Sequence, residues 1–304
     1  MKVIISHDVD HLSAREHARD LIVPKFIVRF GIEWFLGYAK WREVRLAVQA
    51  LWTEHWQHIE EVMDFDQAHG VPSTFFVAVA NGRKLCYALA DAREWVTRIR
   101  NRGFDVGVHG IEYDSVDKVR DEIARFREIT GQDFVGVRFH NIGFSPSSVQ
   151  LSDSDVLNLK RVGYSFSSTT FDDAGPWSSD TFWEFPIHLM DGHIFRVGRP
   201  WKNRTLEQMK ESTVKRLRDA AARGVSYFSL LFHDGYFCDY FRDCQEWYIW
   251  LVEFIKAEGH QLCSYRHALD ELNGDARATG PTGGTQGGTG ERVKNGTYTE
   301  GEEA

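Results

Sequence analysis

Two carboxylates and two imidazoles alternate in His7-Asp8-Val9-Asp10-His11, directly after the apolar run Val3-Ile4-Ile5. Three other apolar runs end in the same kinds of group. "VGVHGIEYD" offers His109, Glu112 and Asp114, "GVRFHN" offers Arg138 and His140, and "SLLFHDGYF" offers His233 and Asp234. Imidazole and carboxylate together can hold a divalent ion with positions left for water and a carbonyl oxygen; such an ion polarises the carbonyl and acidifies the water. A second carboxylate is then needed as base, and a histidine on the opposite side as proton donor. The set suits metal-assisted hydrolysis, with Asp8 and Asp10 dividing two roles between them. A lone His is usually an ordinary hydrogen-bonded residue and a lone Asp often caps a helix. Four runs ending this way point to a site instead. Strand alternation turns His7 with Val9 away from Asp8 and Asp10, and His11 fits either the site or a helix start.

These groups need elements that bring them together. Apolar runs of strand length are expected at Lys2–Ser6, Ser73–Val79, Asp105–His109, Phe134–Phe139, Tyr164–Ser167, Trp183–Ile187, Ser226–Phe232 and Gln261–Ser264. Helical patterns lie between them near His55–His69, Asp91–Arg102, Ser115–Thr130, Asp153–Val162, Leu206–Arg223 and Asp239–Glu258. This alternation predicts an α/β fold with a parallel sheet. Seven or eight units and no Gly-x-Gly-x-x-Gly after the first strand favour a barrel over a dinucleotide-binding sheet, and the loops of a barrel gather strand ends at one mouth. One connection is too long for the repeat. Residues 11–54 form an aromatic, mildly basic insertion, expected either as a helical cover over the mouth or as an interfacial helix making peripheral membrane contact through residues 26–45.

Composition narrows the class. The chain has 304 residues, 42% of them hydrophobic and 13% aromatic, enough for one large core. A net charge of −8 argues against nucleic acid as a partner. Cys86, Cys238, Cys244 and Cys263 lack paired spacing and are expected as reduced thiols. Strand-like sequence from Lys2 onward leaves no room for a secretory leader, and no run of about 18 uncharged apolar residues occurs, so a cytoplasmic location is expected. Residues 273–304, rich in Gly, Thr and charge, are expected as a disordered tail after a domain spanning 1–272. Nothing in the sequence signals an oligomeric state.

The order of these motifs over residues 1–272 resembles the NodB-homology polysaccharide deacetylases, the fourth carbohydrate esterase family, and implies a NodB-like deacetylase barrel, an α/β fold of the distorted (β/α)7 type. The resemblance implies that Asp8 is the catalytic base, Asp10 and His109 are metal ligands, Arg138 pairs with the base, and His233 is the catalytic acid. The family's second metal-binding His is missing, Tyr113 standing at its place. Asp114, or else Glu112, is expected to supply the third ligand. That would make the site harder and favour Mn, Fe or Mg over Zn. Ser167 stands where an Asp orienting the acid is expected, with Asp172 or Asp173 as substitutes. His140, Tyr236 and Trp177 are assigned to substrate binding, the rings as stacking surfaces for sugars. His233-Asp234-Gly235-Tyr236-Phe237 and "EFPIHLMD", with Glu184, Pro186 and Asp191, are similar to the branch tied to surface-polysaccharide synthesis. The function implied is metal-dependent removal of an acetyl group from a sugar, such as a nucleotide- or lipid-linked surface-polysaccharide or lipopolysaccharide precursor. The two missing motif residues support a competing function, an inactive NodB-like protein binding a glycan or a partner. Metal-independent hydrolysis of a small cyclic amide is the third alternative.

Overall fold

A strand covered on both faces reads as an almost continuous apolar run, interrupted only where a polar group has a partner. In the computed structural model, which describes residues 1–17, 21–52, 56–113, 115–140, 153–197 and 199–278, the first such run is β1 (Lys2–Val9), buried from Val3 to Val9. The strand runs on past the expected Ser6, so that Asp8 lies inside it and not in the following turn. The insertion comes next, with a single helical turn at Ala14–His17, then α1 (Ile22–Phe35) and α2 (Trp41–Ala50).

Alternation then sets in with α3 (Ile59–Ala68), β2 (Thr74–Val77), α4 (Leu89–Asn101), β3 (Asp105–Gly110), α5 (Val116–Thr130), β4 (Gly136–Phe139), α6 (Asp153–Val162) and β5 (Phe166–Ser167). A less regular stretch holds β6 (Trp177–Ser179), β7 (Phe182–Glu184), β8 (Ile187–Met190), the short α7 (Asp191–Phe195) and an antiparallel arm of β9 (Arg196–Val197) and β10 (Arg199–Asn203). After it come α8 (Leu206–Ala222), β11 (Tyr227–Leu231), α9 (Arg242–Ala257), β12 (Gln261–Leu262) and α10 (Tyr265–Ala278). The sequence did not anticipate β6, the arm, α7 or α10. The last of these carries the chain past the boundary expected at 272, because Tyr265, Ala268 and Leu269 recur at helical spacing and are buried. Residues 279–304 lie outside the described part.

The sheet runs β5-β4-β3-β2-β1-β11-β8, each pair parallel. Its two ends are joined by one stretch of chain. The single strand expected at Trp183–Ile187 is divided: β7 pairs with β5, and β8 pairs with β11. The change of neighbour falls at Pro186, whose nitrogen has no hydrogen to give a ladder. The sheet thereby closes on itself as a distorted barrel.

Alternation sorts the β1 side chains. Val3, Ile5 and Val9 join the large core under the helices, whereas Ile4 belongs to a separate cluster with Phe76, Phe166, Phe185, Tyr227 and Tyr265 inside the barrel. Rings this large fit because neighbouring strands give way: a Cβ on Gly136 would lie 2.2 Å from the Phe166 ring. β12 pairs with the start of β1, so α10 seals the barrel at the end opposite the mouth. The four cysteines are free thiols.

His7 faces the outer layer, as alternation requires. Its ring bridges the Phe232 carbonyl (2.9 Å) and Asp66 Oδ2 (3.0 Å), while Tyr248 (2.7 Å) and Ser73 (2.5 Å) donate to the same carboxylate. Every one of these side chains is buried. Removing the acceptor strands all three partners, so Asp66→Ala is expected to lower unfolding free energy by about 3–5 kcal/mol in a denaturant titration. Asp64→Ala, which removes an exposed partner of Arg102, is expected to change it by about 1 kcal/mol or less.

Candidate active site

The inner face of β1 continues Ile4, Ser6, Asp8, and Asp10 follows just past the strand end. The guanidinium of Arg138 meets this row from β4. It is 2% exposed, and each of its five N–H groups has an acceptor. Nη1 donates to Asp8 Oδ1 (3.0 Å) and Ser6 Oγ (2.8 Å), Nη2 to Ser168 Oγ (2.8 Å) and Tyr265 Oη (2.9 Å), and Nε to the Ser168 carbonyl (2.7 Å). Its plane lies over Phe76, 4.4 Å from the ring centre. Burial, the largest single effect, would lower the Arg138 pKa, but the charges of Asp8 and Tyr265 and the hydrogen bonds to both together raise it.

Register places His109 of β3 beside Arg138. The His109 Nδ1–H donates to the Arg138 carbonyl (3.0 Å), so the neutral ring carries its lone pair on Nε2, facing the mouth; burial would lower the pKa of this ring, but the charges of Asp8 and Asp10 raise it. Gly110 follows, where a Cβ would lie 2.5 Å from the Phe139 ring. Facing His109 Nε2 are Asp10 Oδ1 (3.2 Å) and His140 Nδ1 (3.0 Å), and these two are 3.4 Å apart. Three donor atoms therefore converge within the spacing that ligands of one ion adopt. Burial alone would raise the Asp10 carboxyl, yet when the facing imidazoles are protonated their hydrogen bonds, from His109 and His140, and the charges of His140 and His233 hold it well below the usual carboxylate range.

His233, just past β11, stands on the other side of Asp10, with Nε2 3.7 Å from Oδ2. Its Nδ1 donates to both oxygens of Asp191 (2.9 and 3.0 Å), and its backbone N–H donates to Asp191 as well. Burial works against the imidazolium, but the Asp191 charge and hydrogen bond, with smaller help from Asp10 and Asp8, push the pKa of His233 well above its ordinary value. The mouth is also lined by Thr169, Phe171, Ile187, Met190 and Leu231. Glu184 holds one wall, its Oε1 accepting from the backbone of Thr169 and Thr170 (2.8 Å each) and from Thr170 Oγ1 (2.9 Å).

Asp8, Asp10, His109, Arg138, His140 and His233 thus meet in one pocket. The set differs from the expected one in several places. Glu112 pairs with Lys118 (3.0 Å) and is not one of the three converging donors, and Asp114 lies outside the described residues. His140, assigned from sequence to the substrate, occupies the third corner of the donor triangle, because β4 ends level with β3 and its backbone N–H bonds Gly110 (2.7 Å). Asp172 caps Ala174 (3.0 Å) and Asp173 lies toward Arg223 (3.7 Å), so neither orients His233; Asp191 does. Tyr236 sits edge-on to His233 at 6.1 Å and accepts from Arg196 (3.1 Å), beside the pocket wall. Trp177 lies on β6 at the far end of the sheet path, outside the pocket lining. A second group, His11, Glu16 and His17, is closed by its own hydrogen bonds: the two rings meet at 2.8 Å, and Glu16 accepts from the backbone of Leu12 and Ser13.

No family model matches the sequence, and no curated protein does. Solved structures match its shape. A protein from Mycobacterium smegmatis described as a polysaccharide deacetylase superposes with a TM-score of 0.60 at 16% identity, over 90% of each chain. The fold is that of a polysaccharide deacetylase barrel. The allantoinase PuuE gives 0.58 at 12% identity, over 90% of this chain and 91% of that one. A Pseudomonas aeruginosa PAO1 protein, also described as a polysaccharide deacetylase, gives 0.56 at 13%, with the same coverage.

The Asp191 charge keeps His233 protonated to higher pH than an ordinary histidine. Asp191→Asn removes that charge, so the imidazolium should be lost at lower pH. In a histidine NMR titration the His233 pKa is expected to fall, and an unchanged value would mean that Asp191 does not hold the proton there.

Proposed function

We infer that the protein hydrolyses the acetyl group of an acetylated carbohydrate in a metal-dependent reaction. One observation carries this: a buried base paired to arginine, a three-donor cluster and a carboxylate-oriented imidazole open into one pocket. The two gaps that favoured an inactive binding protein are both occupied in space, by His140 and by Asp191. The likeness of fold to proteins described as polysaccharide deacetylases supports a carbohydrate as substrate. The donor triangle favours a metal-dependent reaction over metal-independent opening of a cyclic amide.

Asp10, His109 and His140 fit a divalent ion. Neutral His109 presents its Nε2 lone pair, Asp10 is ionised, and the three atoms are mutually 3.0–3.4 Å apart. Two imidazoles and one carboxylate make a softer set than the one-imidazole site expected from sequence, and suit Zn, Fe or Mn better than Mg. When bound, such an ion polarises the acyl carbonyl and makes a coordinated water more acidic.

The chain's own residues complete the reaction. Asp8, held in place by Arg138, accepts a proton from the attacking water as its oxygen bonds the acetyl carbon. As the bond from that carbon to the sugar nitrogen or oxygen breaks, the leaving atom takes the proton from His233 Nε2. Water is consumed and acetate and a free amine or hydroxyl are released. Phe171, Ile187, Met190 and Leu231 give the acetyl methyl an apolar seat.

Asp8→Asn is expected to lower acetate release from an acetylated sugar by roughly 10²–10⁴-fold. Unchanged release would remove Asp8 from the role of base. His140→Ala deletes one of three donors, and calorimetric titration of the metal-free protein with Zn or Mn should show affinity weakened by about tenfold or more.

A further inference from the structure

Exposed apolar side chains are concentrated on the insertion. Among the described residues twelve large hydrophobic side chains are exposed, and ten of these lie between Leu21 and Trp52. Five fall within residues 34–41, at the turn from α1 to α2: Trp34 (49% exposed), Phe35 (84%), Leu36, Tyr38 and Trp41 (64%). The Trp34 and Trp41 rings lie 5.5 Å apart. A patch of this kind on an otherwise well-packed barrel marks an interaction surface.

The patch is not a core face left open, because the inner face of α1 is already covered. Phe30 packs against Phe241 (5.3 Å between ring centres), and Phe26 against Trp56 (5.3 Å). Glu33 is buried and pairs with Arg29 (2.6 Å). The cover also connects the insertion to the pocket, since Phe241 stacks edge-on with Tyr236 (4.8 Å), the neighbour of His233.

The charges around the patch select its occupant. From Leu21 to Trp52 there are five cations, Lys25, Arg29, Lys40, Arg42 and Arg45, and two carboxylates, Glu33 and Glu43: a net charge of +3 in a chain of net −8. All but Arg29 of the cations are exposed, whereas Glu33 is buried and Glu43 is half-buried, accepting from the Lys40 backbone (2.7 Å). Arg42 also reaches Asp239 (3.3 Å). Indole and phenol rings beside lysine and arginine are the pairing that settles at an anionic lipid surface. A second copy of the chain is disfavoured, because a two-fold contact would set the cationic rim against itself. No described helix is long and apolar enough to cross a membrane, which leaves contact at the surface.

We propose that the tip of this hairpin docks the protein on an anionic bilayer and holds the barrel mouth over an acetylated sugar carried by a lipid. The choice of substrate rests on the deacetylase assignment; the docking does not.

The full chain, mixed at low salt with vesicles of phosphatidylglycerol and phosphatidylcholine, should co-sediment with them. Binding should weaken on raising salt or on using phosphatidylcholine alone. Phe35→Ser combined with Trp41→Ser should weaken vesicle binding roughly tenfold or more, and Lys40→Glu with Arg42→Glu should remove the preference for anionic lipid. Both pairs are exposed, so thermal unfolding midpoints should stay near that of the parent. Phe35→Ser/Trp41→Ser should leave turnover of a soluble acetylated sugar unchanged and lower turnover of a lipid-linked one in vesicles. No binding to anionic vesicles, or binding that neither pair alters, overturns the proposal. So does a dimer in analytical ultracentrifugation that the tip substitutions dissociate, without vesicle binding. Vesicle binding without turnover of any acetylated sugar would retain the docking and overturn the substrate.

Discussion

A full positive charge inside a barrel is tolerable only if its donors all find acceptors and a counter-charge lies in contact. Arg138 sets that requirement here, and much of the interior answers it. Asp8 supplies the charge, Ser6 and Ser168 supply hydroxyls, and Tyr265 reaches in from the helix that seals the opposite end. One guanidinium thus ties β1, β4, the segment after β5 and α10 together. It also fixes the orientation of the carboxylate assigned as base, so stability of the interior and geometry of the site depend on the same five hydrogen bonds.

The rest of the pocket is organised around Asp10. His109 and His140 approach one of its oxygens and His233 the other, yet the two sides differ in what stands behind the ring. A neutral carbonyl behind His109 leaves a lone pair facing the pocket, as a metal ligand requires. A carboxylate behind His233 favours the protonated ring, as an acid requires. Identical side chains are directed to different chemistry by their second partners.

The insertion follows a different logic. A helix that has buried one face has no packing reason to keep aromatic residues on the other. On α1 both faces are aromatic, the inner one joined to the loop that carries His233 and the outer one open with a cationic margin. The position of this surface and the position of the pocket are coupled through Tyr236 and Phe241.

Much of this was legible in the sequence because it depends on period and strand ends. Alternation alone separated Asp8 from His7, and the apolar runs placed Asp8, Asp10, His109, Arg138 and His233 where parallel strands finish. What sequence could not reach depends on which strand ends stand level and which chain segments lie opposite. Proximity in sequence to His109 points to Glu112 or Asp114 as the third donor, but His140 comes from the next strand. Motif order points to Asp172 or Asp173, after β5, as the partner of His233, but Asp191 reaches it because the chain passes from β5 to β11 at Pro186. Residue type and spacing determine which groups are offered to the barrel mouth; closure of the sheet decides which of them meet, because distances across a barrel are set by strand register and not by separation along the chain.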